Sequence, residues 1–191
     1  MLIRILRPLA AALLLMIALS GATVTDAAAP ADGCADPPPA LGRFEAGSGK
    51  PAPDTPFVVE ADGEKTLIEF AGAPLVVNLW ATWCAPCVTE MPALDRLAAA
   101  AGDDGVRVLP LSADREGAPV VKAFFTANGI RHLPVMIDRL GQVARALAVP
   151  GLPTTVLYDR EGREAGRVIG VAEWDAPEVV RFLRACLSPT A

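Results

Sequence analysis

Leu75-Val76-Val77-Asn78-Leu79-Trp80-Ala81-Thr82-Trp83-Cys84-Ala85-Pro86-Cys87 joins an apolar run to two cysteines separated by two residues. The run from Leu75 to Trp80 reads as a buried strand. Residues 88–98, Val-Thr-Glu-Met-Pro-Ala-Leu-Asp-Arg-Leu-Ala, read as a helix. Cys84 is therefore expected at a strand end and at a helix N-terminus. Unpaired backbone N–H groups and the positive end of the helix dipole stabilise a thiolate there. The thiolate is the form that attacks disulfides, so this position makes Cys84 reactive. Pro92 falls inside the helix and removes one backbone donor, which should kink it.

A CxxC pair alone has other uses. A structural zinc site needs four ligands. The chain has no second CxxC and a single histidine, His132. Covalent haem attachment needs His directly after the second cysteine, where this chain has Val88. No metal or other cofactor is expected, and the pair reads as redox-active. His132 lies in a loop and reads as a structural or surface residue. A second element, Val149-Pro150-Gly151-Leu152-Pro153-Thr154-Thr155, puts Pro153 at the entry of a strand. An X–Pro bond is the one that tolerates the cis form.

The chain has 191 residues and a net charge of −5, with acidic and basic residues mixed along it. No basic run or basic–aromatic alternation points to nucleic acid. Arg4 and Arg7 precede an uninterrupted apolar stretch from Leu9 to Leu19. That is a basic n-region and an h-region. Residues 1–28 are expected to be a cleaved signal peptide or an uncleaved membrane anchor, and either exports the rest. Outside the cytoplasm disulfides persist.

Residues 29–52 are rich in Pro, Ala and Gly, with Pro37-Pro38-Pro39 and Gly47-Ser48-Gly49. They read as an extended linker. Residues 53–191 form the expected domain. Strands are expected at 57–60, 66–70, 75–80, 106–112, 135–138, 154–158 and 166–170. Helices are expected at 88–98, 119–127 and 142–147, and from about 175 to Cys186. That order gives an α/β domain, a three-layer sandwich with a central mixed β-sheet flanked by helices.

The two motifs, their order and the strand pattern resemble the thioredoxin fold. Asn78 through Cys87, continuing to Glu90-Met91-Pro92, is similar to the exported, often membrane-anchored TlpA/ResA/CcmG (DsbE) group, with TlpA the nearest branch. The resemblance spans about residues 53–187. It implies a thiol–disulfide oxidoreductase on the periplasmic side of the cytoplasmic membrane, anchored or released. The implied partners are disulfide-bearing clients, apo-cytochromes c or copper-site assembly proteins, and a membrane thiol-electron donor. By position, Cys84 becomes the attacking thiol and Cys87 the resolving thiol. Pro153 becomes the cis-proline beside the disulfide, and the Leu152 backbone pairs with substrate. Trp83 shapes the docking surface, and Glu90 tunes the thiols or relays a proton. One departure from cytosolic thioredoxin is Asn78, where that protein has a buried Asp. An amide cannot take a proton as a carboxylate can; if proton transfer needs an acid, Glu90 is the better candidate, the alternative being a solvated helix acid.

Three uses of the pair remain open in the sequence: a reductant, a disulfide-introducing oxidant, and a copper-binding or holdase module with the thiolates as ligands. Cys34 and Cys186 are left over. They are expected either to stay free or, as the favoured reading, to form a structural disulfide that pins the segment before the domain to the last helix. Closing a loop of about 150 residues is worth ~4–5 kcal/mol in the chain-entropy model.

Overall fold

The computed structural model describes residues 34–100 and 105–187. The expected signal or anchor at 1–28 lies outside them. Among the described residues no helix is long and apolar enough to cross a membrane.

Among the described residues eight strands form one sheet: β1 (Arg43–Ala46), β2 (Phe57–Val59), β3 (Gly63–Lys65), β4 (Leu75–Trp80), β5 (Arg107–Ser112), β6 (Met136–Ile137), β7 (Thr154–Tyr158) and β8 (Glu164–Ile169). Among the described residues four helices accompany them: α1 (Ala85–Ala100), α2 (Ala118–Asn128), α3 (Gln142–Ala146) and α4 (Pro177–Cys186). The strand order is β1-β8-β7-β4-β5-β6-β2-β3. β4, β5 and β6 run parallel, and the other pairs are antiparallel.

β4 is buried along its whole length because both sheet faces are covered. Its side chains alternate between them. Val76 and Trp80 join Met91, Leu94, Val121, Phe125 and Leu183 in one apolar cluster. Leu75, Val77 and Leu79 join Leu67, Val143 and Tyr158 in the other. α1, α2 and α4 thus cover one face, while α3 and a 3-10 turn cover the second. This is the three-layer sandwich with a central mixed sheet. Asn78 sits between Val76 and Trp80 in the alternation, so it faces α1.

Two expectations are corrected. The described part of the 29–52 stretch is not a loose linker. Residues 39–41 form a 3-10 turn with Leu41 fully buried, and β1 pairs antiparallel with β8 from Arg43↔Ile169 to Ala46↔Gly166. The glycines that suggested looseness allow close approach instead. A Cβ at Gly47 would collide with the Glu164 backbone, and the Gly47 N–H donates to Ala165 O at 2.9 Å. The strand expected at 66–70 is a 3-10 turn, Leu67–Phe70. The Glu69 carboxylate accepts from the Thr66 N–H at 2.7 Å, and this Thr-x-x-Glu capping box turns the chain out of the sheet. The strand lies just before it, at Gly63–Lys65. α1 runs unbroken across Pro92 from Ala85 to Ala100.

Candidate active site

β4 delivers Ala81-Thr82-Trp83 into a loop, and α1 begins directly after Cys84. The loop is braced from β5. Asp114, which is buried, accepts from the Thr82 N–H at 2.9 Å and the Thr82 hydroxyl at 2.6 Å. The Ser112 hydroxyl donates to the same carboxylate at 2.7 Å. Both thiol-bearing positions thus follow a fixed turn.

Cys84 and Cys87 are joined as a disulfide. Cys84 is the outer member, 6% exposed against 0% for Cys87. The Cys87 backbone N–H points at Cys84 Sγ, 3.3 Å away. This is a helix N-terminus offering a donor to sulfur, an arrangement that stabilises a Cys84 thiolate once the bond is opened. Trp83 stands in solvent, 68% exposed. The Leu152–Pro153 peptide bond is cis. Pro153 is buried and Leu152 half-buried. The turn is held by Thr154 Oγ1 donating to Gly151 O at 2.7 Å and Gly170 N–H donating to Pro153 O at 2.9 Å.

Glu90 follows Cys87 by three positions on α1, and its side chain is buried. Three donors surround its carboxylate. Asn78 Nδ2 reaches Oε1 at 3.0 Å. The Trp174 indole N–H reaches Oε2 at 2.8 Å, and the Ala172 N–H reaches it at 3.2 Å. Burial pushes the Glu90 carboxyl above the ordinary carboxylate value, and these three hydrogen bonds pull against the rise. Asn78 Nδ2 also donates to Thr155 Oγ1 at 2.9 Å, while its Oδ1 has no partner. Turned over, the same amide would accept from a protonated Glu90 and from the Thr155 hydroxyl. Asn78 therefore suits either protonation state of the acid.

Cys34 and Cys186 are joined as a second disulfide, distant in sequence from the first pair. His132 is half-exposed, and its Nδ1 lies 3.1 Å from Asp95 Oδ2. Three of the expected residues meet at the start of α1: Cys84 directly before it, and Cys87 and Glu90 in its first two turns. Sequence reasoning missed Asp114, Ala172 and Trp174. Asp114 carries a faint signal, an acid two residues beyond a strand end. Trp174 carries none, because its partner is 84 residues away.

Comparison with known proteins agrees with this fold. The model of the AhpC/TSA family matches residues 48–163, more than half of the chain. The chain is 36% identical over 124 residues to "Thiol-disulfide oxidoreductase ResA" of Bacillus thuringiensis subsp. konkukian, covering 64% of this chain and 69% of that one. It is 32% identical over 127 residues to "Thiol:disulfide interchange protein DsbE" of Pseudomonas aeruginosa, covering 65% and 68%. A crystal structure of a DsbE-type thiol:disulfide interchange protein from Chlorobium tepidum superposes with a TM-score of 0.65 at 25% identity, covering 76% of this chain and 99% of that one. The chain belongs to the AhpC/TSA family, as a thioredoxin-fold thiol–disulfide oxidoreductase related to ResA and DsbE.

Proposed function

We propose that this oxidoreductase is an exported reductant that opens disulfides in client proteins on the periplasmic side of the cytoplasmic membrane. The observation that carries the reading is the buried Glu90 carboxylate, three residues after Cys87 and held by uncharged donors. An ionised carboxylate one turn from the pair opposes thiolate formation by like-charge repulsion. A dithiol that is costly to hold reduced gives its electrons away more readily, whereas strong oxidants stabilise their reduced form.

The proposed chemistry runs through Cys84, Cys87 and Glu90. In the reduced protein the Cys84 thiolate attacks one sulfur of a client disulfide. That bond breaks, a Cys84–client mixed disulfide forms, and one client thiolate leaves. Cys87 then transfers its proton to the Glu90 carboxylate and attacks Cys84 Sγ. The mixed disulfide breaks, the Cys84–Cys87 bond forms, and the second client thiolate leaves. Two electrons have moved from the protein to the client, and the two client thiolates take up protons. Trp83 and the Leu152–Pro153 turn present the apolar surface and backbone on which an extended client segment lies. A membrane thiol donor reduces the pair again.

Export rests on Arg4, Arg7 and the apolar run after them. The clients are proposed to be apo-cytochromes c or copper-site assembly proteins, which must present reduced cysteines to a haem or a metal. Cys87→Ser tests the reading. It should hold exported clients as mixed disulfides on Cys84 that dithiothreitol releases. Absence of any trapped species, with Cys84 fully free, would sink it.

A further inference from the structure

Both donors to Glu90 Oε2 come from the corner between β8 and α4, residues 170–176. Glu90 holds this corner from inside the protein. From outside it is held by the segment 34–46, which the sequence disguised as a linker. The Glu173 N–H donates to Ala40 O at 2.9 Å. Gly42 lies so close that a Cβ there would stand 3.0 Å from Val171 O. Leu41 is fully buried in the same apolar cluster as Ala172 and Trp174. Phe44 packs edge-on against Phe182 of α4 at 5.3 Å. The Cys34–Cys186 disulfide ties the start of this arm to the end of α4.

The geometry points to Trp174 as a positioning residue for Glu90, kept in register by the disulfide-tied arm 34–46. The inference rests on the proton-handling role proposed above for Glu90. Among the described residues the hydrogen bonds from the corner to α1 are the Ala172 bond at 3.2 Å, the 2.8 Å indole bond and the exposed Arg96–Asp175 pair at 2.6 Å. An exposed ion pair contributes little, so the indole bond and the arm set where the corner lies.

The groups facing Glu90 carry no charge: the Asn78 amide from β4 and the Ala172 and Trp174 N–H groups from the corner. Glu173 is exposed and Asp175 pairs with Arg96, so neither acid flanking Trp174 opposes the carboxylate. The titratable neighbours are Cys87 and Cys84, and only in the reduced protein. In the oxidised protein Glu90 titrates without them.

The test is a carbon-detected NMR titration of the Glu90 carboxyl in the oxidised full chain, assigned by its loss in Glu90→Gln. Trp174→Phe keeps the ring bulk and removes the donor. It should raise the Glu90 midpoint by about one pH unit, the scale of one hydrogen bond to a charged group. The double variant Cys34→Ala/Cys186→Ala should move the midpoint in the same direction. Its effect should shrink in the Trp174→Phe background, because both act through one contact. The pH profile of client-disulfide reduction should shift with the midpoint in both variants. An unchanged midpoint in Trp174→Phe overturns the assignment. An unchanged midpoint in the cysteine variant overturns the arm's part in it. If Trp174→Phe does not fold, the cysteine variant alone decides. A shifted midpoint with no rate change in Glu90→Gln leaves the positioning intact and overturns the role of Glu90 instead.

Discussion

Glu90 brings a carboxylate into the interior, where its three hydrogen bonds offset the loss of water. If it takes the Cys87 proton, Glu90→Gln should slow the resolving step by about 10²-fold, the usual worth of a positioned base. Stopped-flow decay of a mixed disulfide on Cys84 reads this directly. A stability effect accompanies it. Burial raises the Glu90 carboxyl, so the folded chain holds a proton over a pH window in which the unfolded chain has lost it. Folding stability therefore falls as pH rises through that window. The Gln variant escapes this loss, since its amide can meet a turned-over Asn78. Urea unfolding at pH 4 and pH 8 should show the variant gaining on the parent with rising pH; a constant difference contradicts it. At this scale the sequence was legible where chemistry is local. Cys84, Cys87 and Glu90 sit within seven consecutive residues, and their spacing on a helix already places them together. Trp174 was illegible because an indole that hydrogen-bonds a distant acid looks like any core tryptophan.

Among the elements, α1 carries Cys87, with Cys84 directly before it, and also pins the loop that follows α2. Asp95 on α1 accepts from the N–H groups of Arg131, His132 and Leu133 at 3.0, 2.7 and 3.2 Å. Burial would raise its carboxyl, but the His132 and Arg131 hydrogen bonds outweigh this and hold it below the ordinary value. Asp95→Ala leaves these donors unpaired and should cost ~2 kcal/mol in urea unfolding at pH 7. The parent should lose that advantage on acidification, as pH falls through the lowered carboxyl value. The element pattern was readable where apolar period and burial agree, as in β4 and α4. It failed at Leu67–Phe70, whose β-prone residues were overruled by Thr66 and Glu69 acting as a capping box. That signal was present in the sequence as Thr-x-x-Glu. β1 failed for another reason. Arg43-Phe44-Glu45-Ala46 alternates over only four residues between Gly42 and Gly47, and pairing with β8 makes it a strand.

For the whole molecule, the arm 34–46 adds an edge strand, a buried leucine and a disulfide to the three-layer sandwich. The disulfide spans 152 positions, so the double variant Cys34→Ala/Cys186→Ala should lose up to ~5 kcal/mol of unfolding free energy. A loss within error of zero contradicts its structural role. Proline and glycine content suggested an unstructured tether here, because composition reports local freedom and not the surface a segment lies on. The proposed direction of electron flow belongs to the whole molecule as well. It follows from a dithiol placed beside a buried acid, and it separates a client reductant from an oxidant with the same residues. The most direct measurement is the reduction potential of the Cys84–Cys87 pair, taken by equilibrating the full chain with dithiothreitol or glutathione buffers at pH 7. The expected value lies below about −200 mV; a value near −120 mV, on the order of the strong disulfide oxidants, would contradict it.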